Sequence, residues 1–197
     1  MPIIEDFFRD VDEAWSWPTT PRIPLRLIGS TALFLQTSYV RGTKDSDVLE
    51  MHDLTRETKD RLLQLAGPRT KIHERRRIYL DIVRNGIPFL PLSARWHPVT
   101  ALDGALRNFQ VSVLDVVDVV VSKLKRLHHD DLIDIAAMVE RDLVPHAALI
   151  ERFRSAVASF SGDARAADLP TYVANLHRIE RDVLAVDESE IELPSWI

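Results

Sequence analysis

Apolar side chains recur along the chain with two different spacings. Up to residue 114, short apolar or alternating runs predict strands, and the clearest are LRLIG, DSDVLE, RIYLDIV and FQVSVLD. Residues 3–15 and the segments that begin at Ser30 and Asp53 have the spacing of helices. After residue 115, all the apolar segments have helical spacing. The pattern predicts an α/β (α+β) part over residues 1–114, followed by a helical region over residues 115–197.

Proline and glycine residues set the predicted connections. Three prolines between residues 18 and 24 indicate a connector after the first helix. Asn85-Gly86 is a strong turn signal, and it predicts that RIYLDIV and IPFLPL pair as a hairpin. We therefore expect a mixed sheet of four or five strands with flanking helices, and then a C-terminal helical bundle.

Composition excludes several classes of protein. The 197 residues include no cysteine, which removes disulfides, cysteine-ligated metals and thiol nucleophiles, and favours a reducing, cytoplasmic setting. A net charge of -5 argues against generic nucleic-acid binding. Acidic residues interrupt the apolar N-terminal run, unlike a signal peptide, and no apolar run reaches about 18 residues. We expect neither export nor a membrane partner.

Two features of the α/β part place polar groups where chemistry can be built. Asp45 and Asp47 are two residues apart on a predicted strand, so their side chains point to the same face. Two neighbouring carboxylates repel each other unless a divalent cation lies between them, and Mg²⁺ prefers such oxygens. Gly29-Ser30 opens a helix after a strand, where free backbone N–H groups bind phosphate. We expect Gly29 and Ser30 to hold phosphates beside the metal site.

Asp81 is the third acid of this region. It lies between apolar neighbours in RIYLDIV, and an adjacent strand would bring it to the same metals. The alternatives are a solvent-facing strand acid or an ion pair with a nearby arginine such as Arg77. The run KIHERRRIYL concentrates basic residues and likewise has two interpretations, a solvated turn with an edge strand, or a phosphate-contacting patch beside Asp81.

Together these residues resemble the nucleotidyltransferase superfamily of the DNA polymerase β type. The run GSTALFLQTSYVRGTKDSDV is similar to the AbiEii-like branch, which includes toxin-type nucleotidyltransferases of toxin–antitoxin systems. The resemblance implies two Mg²⁺ ions held by Asp45, Asp47 and Asp81, and transfer of a nucleoside monophosphate from a nucleoside triphosphate. The acceptor would be a tRNA or another RNA, or a protein hydroxyl, and the partner would be a cognate antitoxin or toxin.

The same branch has a helical motif with a lysine and two acids, and VVVSKLKRLHHDDLIDI looks like it. The resemblance assigns Lys123 to catalysis and nucleotide binding, and Asp131 and Asp134 to nucleotide binding. Three ordinary roles stand against this assignment. Lys123 would extend its ammonium to water, and Asp131 would be the N-cap of a helix. Asp134 would lie in the first turn of that helix, where the helix dipole favours an acidic residue. We interpret His128 and His129 as loop or cap residues, because adjacent histidines diverge on a helix.

The sequence departs from the superfamily pattern in two places. Ser46 stands where an apolar residue is usual, and the spacing from Ser30 to Asp45 is about one residue longer than the pattern has. The rival function is a catalytically idle nucleotidyltransferase fold that serves as a protein-interaction or antitoxin module. Metal-dependent binding of a triphosphate separates the two hypotheses.

Overall fold

The backbone forms two units that are interleaved in sequence. A computed structural model describes residues 2–17, 20–37, 39–160 and 164–193. The first unit comprises Met1–Ile87 and Trp96–Leu114, and the second comprises Pro88–Arg95 and Asp115–Ile197. Parts of the predicted connector after residue 17, of the predicted helix at Ser38 and of the predicted break near residue 161 lie outside the described residues.

A mixed sheet forms the centre of the first unit. In the described residues its strands are β1 (Ile23–Ile28), β2 (Asp45–Leu49), β3 (Tyr79–Val83), β4 (Trp96–Pro98) and β5 (Phe109–Leu114). Their order is β3-β2-β1-β5-β4. The pairs β1–β5 and β2–β3 are parallel, whereas β1–β2 and β4–β5 are antiparallel. The predicted α+β class with a mixed sheet is confirmed.

Helices of the first unit bury the apolar faces that the sequence pattern indicated. They are α1 (Pro2–Ala14), α2 (Gly29–Gln36), α3 (Arg56–Ala66), α4 (Lys71–Arg76) and α5 (Thr100–Asp103). On α1, Phe7, Phe8 and Val11 are spaced by one and three residues, and all three are fully buried. On β1, Leu25 and Leu27 lie two residues apart and are also fully buried. The sheet and α1 therefore contribute to the core of this unit.

The second unit is helical. Its elements are α6 (Val116–Lys123), α7 (His129–Val139), α8 (His146–Ser159), a 3-10 helix (Ala164–Asp168), α9 (Leu169–Ile179) and a π-helical turn (Glu180–Leu184). Phe89 comes from the inserted segment and lies 5.3 Å from Phe153, 5.2 Å from Phe160 and 5.0 Å from Tyr172, measured between ring centroids. This aromatic cluster anchors the inserted segment in the helical core.

The predicted hairpin between RIYLDIV and IPFLPL is wrong. Residues 84–87 do form a turn, with Gly86 at a φ of +83° and the Ile87 N–H bonded to the Arg84 carbonyl at 3.2 Å. However, β3 pairs in parallel with β2, and IPFLPL forms no strand. The physical reason is Phe89, which is fully buried in the second unit and draws the segment there.

Two other elements differ from the sequence analysis. In KIHERRRIYL, the expected turn is instead helix α4, because the Thr70 hydroxyl caps it by accepting from the His73 N–H at 3.3 Å. The edge strand expected at the end of this run is β3, which lies at one end of the strand order of the described sheet. Strand β4 was not predicted, since it is three residues long and contains Pro98. No helix in the described part of the chain is both long and apolar enough to cross a membrane.

Candidate nucleotide-binding site

The turn from β1 into α2 brings a glycine against a carboxylate. Gly29 has a φ of +66°, a backbone angle that residues other than glycine rarely adopt. A Cβ atom at this position would lie 3.0 Å from Oδ2 of Asp47. The cause is the sheet register, in which Ile28 pairs directly with Asp47. Gly29 is therefore required both for its backbone conformation and for the close approach of the Asp47 carboxylate.

The strand register gathers three acids on one face of the sheet. Asp45 and Asp47 alternate with Ser46, which is fully buried on the opposite face. Asp47 pairs in register with Asp81 of β3, so these two side chains point to the same face. Asp45 and Asp81 are exposed and Asp47 is half-buried. The structure thus places on one face of the sheet the three carboxylates that were predicted to bind metal.

The charges of these three acids affect the pKa of Tyr79. Tyr79 pairs in register with Asp45. Burial, followed by the negative charges of Asp45, Asp81 and Asp47, raises the pKa of Tyr79 above its ordinary value. The three carboxylates therefore act on one region of the sheet face. Among the described residues, however, no three acidic or histidine side chains converge as closely as a formed metal site requires.

Two threonines hold the start of β2. The Thr31 hydroxyl of α2 donates to the Asp45 carbonyl at 3.1 Å. The Thr43 hydroxyl lies 3.1 Å from both the carbonyl and Oδ1 of Asp45. These bonds connect α2 and the segment before β2 to the residue that carries the first acid.

Ser30 lies beside a guanidinium that the sequence analysis did not single out. Nη2 of Arg41 donates to Oγ of Ser30 at 3.1 Å, and Nη1 donates to the Gly42 carbonyl at 3.3 Å. Arg41 belongs to the irregular segment between α2 and β2. Hydrophobic periodicity carries no information about such a segment, so no signal of that kind indicated its contact with Ser30.

A family model described as a nucleotidyltransferase of unknown function (DUF6036) matches residues 7–179. This range covers most of the chain and includes the turn at Gly29 and all three acids. The chain belongs to this nucleotidyltransferase family. No curated protein and no solved structure matches it. The predicted membership of the nucleotidyltransferase superfamily is confirmed, and the similarity to the AbiEii-like branch stays a prediction.

The helical unit of this nucleotidyltransferase places Lys123, Asp131 and Asp134 in one buried cluster. Nζ of Lys123 lies 2.8 Å from Oδ1 of Asp131 and 2.9 Å from Oδ2 of Asp134. Lys123 is only 7% exposed, so the alternative in which its ammonium extends to water is wrong. Their assignment to nucleotide binding stays a prediction, and the structure adds a second role, which is to join α6 to α7.

The N-terminus of α7 shows which residues cap it. His128 is the N-cap residue, in agreement with its interpretation as a cap or loop residue. Asp131 is not the N-cap. It lies three residues later, where its Oδ2 accepts from the His128 N–H at 3.0 Å. The Asp131 carboxylate therefore bonds both to the start of its own helix and to Lys123.

The basic residues of α4 contact carboxylates of α1. Arg75 lies 2.6 Å from Oδ2 of Asp10, and Arg76 bonds to both Asp10 and Asp6. The hydrogen bond from Arg76 lowers the pKa of Asp10 and outweighs the opposing effect of burial. These two arginines therefore connect α4 to α1 within the unit, and their proposed contact with phosphate stays a prediction.

Asp81 is exposed, and its Oδ1 accepts from the Ile82 N–H at 2.8 Å.

Proposed function

We propose that this nucleotidyltransferase transfers a nucleoside monophosphate from a nucleoside triphosphate to a hydroxyl group, with release of pyrophosphate. The observation that carries the proposal is the close approach of the Asp47 carboxylate to the Gly29 turn. Oδ2 of Asp47 lies 3.0 Å from the point where a Cβ atom on residue 29 would be. A turn suited to phosphate and an acid suited to metal binding are adjacent there. Membership of the family gives the class of reaction.

The first turn of α2 would hold the phosphates. The N-cap residue, Ile28, makes no side-chain hydrogen bond to the first turn of α2. Gly29 allows close approach, and the Ser30 hydroxyl adds a donor. A phosphate at this end also interacts favourably with the helix dipole.

Asp45, Asp47 and Asp81 would hold the divalent cations. Their oxygens are the donor type that Mg²⁺ prefers, and Gly29 allows the Asp47 carboxylate to lie close to the turn. Bound Mg²⁺ would neutralise charge on the triphosphate during the displacement. Asp81 would orient the attacking hydroxyl or accept its proton, because it faces the same side of the sheet as Asp47.

The acceptor divides the proposal into two cases. In the toxin-type case, the hydroxyl belongs to a tRNA 3′ end or another RNA. In the other case it belongs to a protein, which would be a cognate toxin or antitoxin. Lys123, Asp131 and Asp134 would contribute to nucleotide binding in both cases.

The test is incubation of the full chain with each α-labelled nucleoside triphosphate, Mg²⁺, and either total RNA or lysate. We expect label to appear in one acceptor. Asp45→Asn and Asp47→Asn should each lower transfer by about 100-fold or more, because each removes a negative charge from the metal-binding face. Asp60→Asn on α3 is the matched control, since its side chain is 60% exposed and lies 3.9 Å from the Arg56 guanidinium.

Three outcomes separate the hypotheses. Label transfer that depends on both acids supports the proposal. Full activity in the Asp45→Asn/Asp47→Asn double variant would refute the assignment of the site. Absence of metal-dependent triphosphate binding, together with no transfer to RNA or protein, would favour the idle interaction module.

A further inference from the structure

We propose that Tyr79 binds the acceptor of the transfer reaction, and that its ring stacks on an unpaired base at the end of a single-stranded RNA. The inference rests on the proposed function and names the acceptor class for that same site. Its basis is the place of Tyr79 on the sheet. Tyr79 pairs in register with Asp45 and lies two residues before Asp81, so all three side chains share one face.

The strand order sets the arrangement of groups across this face. The α2 turn follows β1, Asp45 and Asp47 lie on the next strand, β2, and Tyr79 and Asp81 lie on β3 beyond it. Asp45 is at the edge of the sheet where α2 begins, because the Thr31 hydroxyl of α2 donates to its carbonyl at 3.1 Å. Tyr79, its partner in register, lies at the same edge.

An in-line displacement assigns a role to each side of this row. The bond from the acceptor oxygen to the α-phosphorus forms opposite the bond to pyrophosphate that breaks. With the phosphates at the α2 turn and the metals at the acids of β2, pyrophosphate leaves toward α2. The acceptor must then approach over β3, where Tyr79 and Asp81 lie.

The ring of Tyr79 is held in place by a second ring. His73 of α4 packs edge-to-face against it, with 5.2 Å between the ring centroids and 71° between the planes. The His73 ring is itself fixed, since its Nδ1 accepts from the Arg69 N–H at 2.9 Å. Both rings are half-buried and so form part of the surface. A held ring can stack on a base with little loss of side-chain entropy.

Two cations near Tyr79 favour RNA over a protein acceptor. Lys44 and Arg77 are both exposed. The Lys44 carbonyl accepts from the Tyr79 N–H at 3.0 Å, and Arg77 ends α4 two residues before Tyr79. The acids of the face repel a polyanion, so phosphodiesters there need nearby cations, whereas a protein hydroxyl needs none. Aromatic rings flanked by cations are the usual means of binding single-stranded nucleic acid.

The charge of Tyr79 itself is consistent with this role. Burial and the charges of the three acids raise the pKa of Tyr79, so its phenol stays uncharged at neutral pH. An uncharged ring adds no repulsion against the phosphates of an RNA.

The first experiment measures binding of the full chain to an unstructured RNA of about ten nucleotides, labelled with fluorescein at its 5′ end, by fluorescence anisotropy. Tyr79→Leu should raise the dissociation constant by about tenfold, the typical effect of losing one base–aromatic stack. Tyr79→Phe keeps the ring and should stay within about twofold of the wild type. Wild-type affinity in Tyr79→Leu, or equal losses in both variants, would overturn the stacking role.

A non-hydrolysable ATP analogue with Mg²⁺, titrated by calorimetry, separates acceptor from donor. It should bind the wild type and Tyr79→Leu equally. A Tyr79→Leu variant that loses affinity for the analogue and not for RNA would overturn the inference, because Tyr79 would then contact the donor nucleotide. Tyr79→Val replaces Tyr79→Leu if circular dichroism shows that the latter does not fold, since valine suits a strand.

The salt dependence of RNA binding tests the two cations. Lys44→Gln and Arg77→Asn should each reduce the slope of log K against log salt by about 0.7, the value for one phosphate contact of a single strand. Asparagine is chosen because Arg77 has a φ of +60°, which asparagine tolerates. Arg56→Gln is the control, because this arginine of the same unit has a side chain 92% exposed. Unchanged slopes in both variants would overturn the RNA assignment.

The wild type distinguishes failure of this inference from failure of the proposed function. Binding of the ATP analogue without binding of RNA would overturn the inference and leave the proposed function standing, with a protein as acceptor. Failure to bind either ligand would overturn both proposals.

Discussion

Two sets of carboxylates, one in each unit, have opposite surroundings. In the helical unit, Asp118 is fully buried and both of its oxygens accept from Arg152, at 2.6 and 2.7 Å. Asp131 and Asp134 are buried against Lys123 in the same way. In the sheet unit, Asp45 and Asp81 are exposed and share one face with Asp47. Buried carboxylates that contact cations support the fold, whereas carboxylates gathered on an open face are suited to a ligand.

This difference gives a criterion for separating structural from functional acids. Removing a partner from a buried pair leaves an uncompensated charge in a medium of low dielectric, so the cost appears in stability. Removing an acid from the sheet face relieves repulsion among like charges, so the cost appears in activity. The variants below test the criterion, beginning with the largest expected change in the free energy of unfolding.

Lys123→Met should have the largest effect. It leaves Asp131 and Asp134 buried without the ammonium that bonds to both. We expect a loss of about 3–5 kcal/mol in the free energy of unfolding, measured by urea denaturation. Arg126→Met, at an exposed arginine three residues later, should change stability by less than about 0.5 kcal/mol. A stable Lys123→Met variant with weakened triphosphate binding would instead place Lys123 with the functional groups.

Arg152→Ala should follow, with a loss of about 3 kcal/mol. Asp118 would keep one backbone partner, the Arg95 N–H at 2.8 Å, so its charge would be partly compensated. Arg154→Ala is the matched control, because Arg154 is exposed on the same helix and bonds to the Glu190 carbonyl. Thermal unfolding of the three proteins checks the prediction. Equal stabilities of both variants would contradict the structural role of the Asp118 pair.

Ser46→Ala should have a smaller effect of the opposite sign. Ser46 is fully buried on the core face of β2, and its hydroxyl makes no hydrogen bond within the described residues. An unsatisfied buried hydroxyl is unfavourable, so alanine should raise the free energy of unfolding by about 1 kcal/mol. Ser46→Thr keeps the hydroxyl and serves as the comparison. A loss of stability in Ser46→Ala would mean that the hydroxyl has a partner in solution.

The parts of the site that local spacing determines could be predicted from the sequence. The Gly29 turn and the alternation of Asp45 and Asp47 depend only on residues near each other in the chain. Asp81 required one further step, the pairing of β2 with β3, and the register does bring it opposite Asp47. The strand that carries each acid was therefore predicted.

Features that depend on distant packing could not be predicted. The hairpin after β3 fails because Phe89 is buried in the other unit, which no turn signal reveals. The Lys123 cluster joins residues from two helices, and a lysine on an apolar face has the same pattern whether it reaches water or a buried acid. Arg41 lies in an irregular segment, where periodicity gives no orientation.

Asp81→Asn should have the smallest effect on stability and is the sharpest test of the comparison. Asp81 is exposed, and asparagine keeps an oxygen that can accept from the Ile82 N–H. Removing its charge also reduces repulsion with Asp47, its partner in the strand register. We expect the free energy of unfolding to stay within about 0.5 kcal/mol of the wild type, while nucleotide transfer falls by about 100-fold. Asp53→Asn, an exposed acid before α3, should change neither quantity. Asp81→Asn could instead lower stability by as much as Arg152→Ala and leave activity unchanged. Asp81 would then belong with the structural carboxylates, and the contrast between the two sets of acids would fail at the residue proposed to accept the proton.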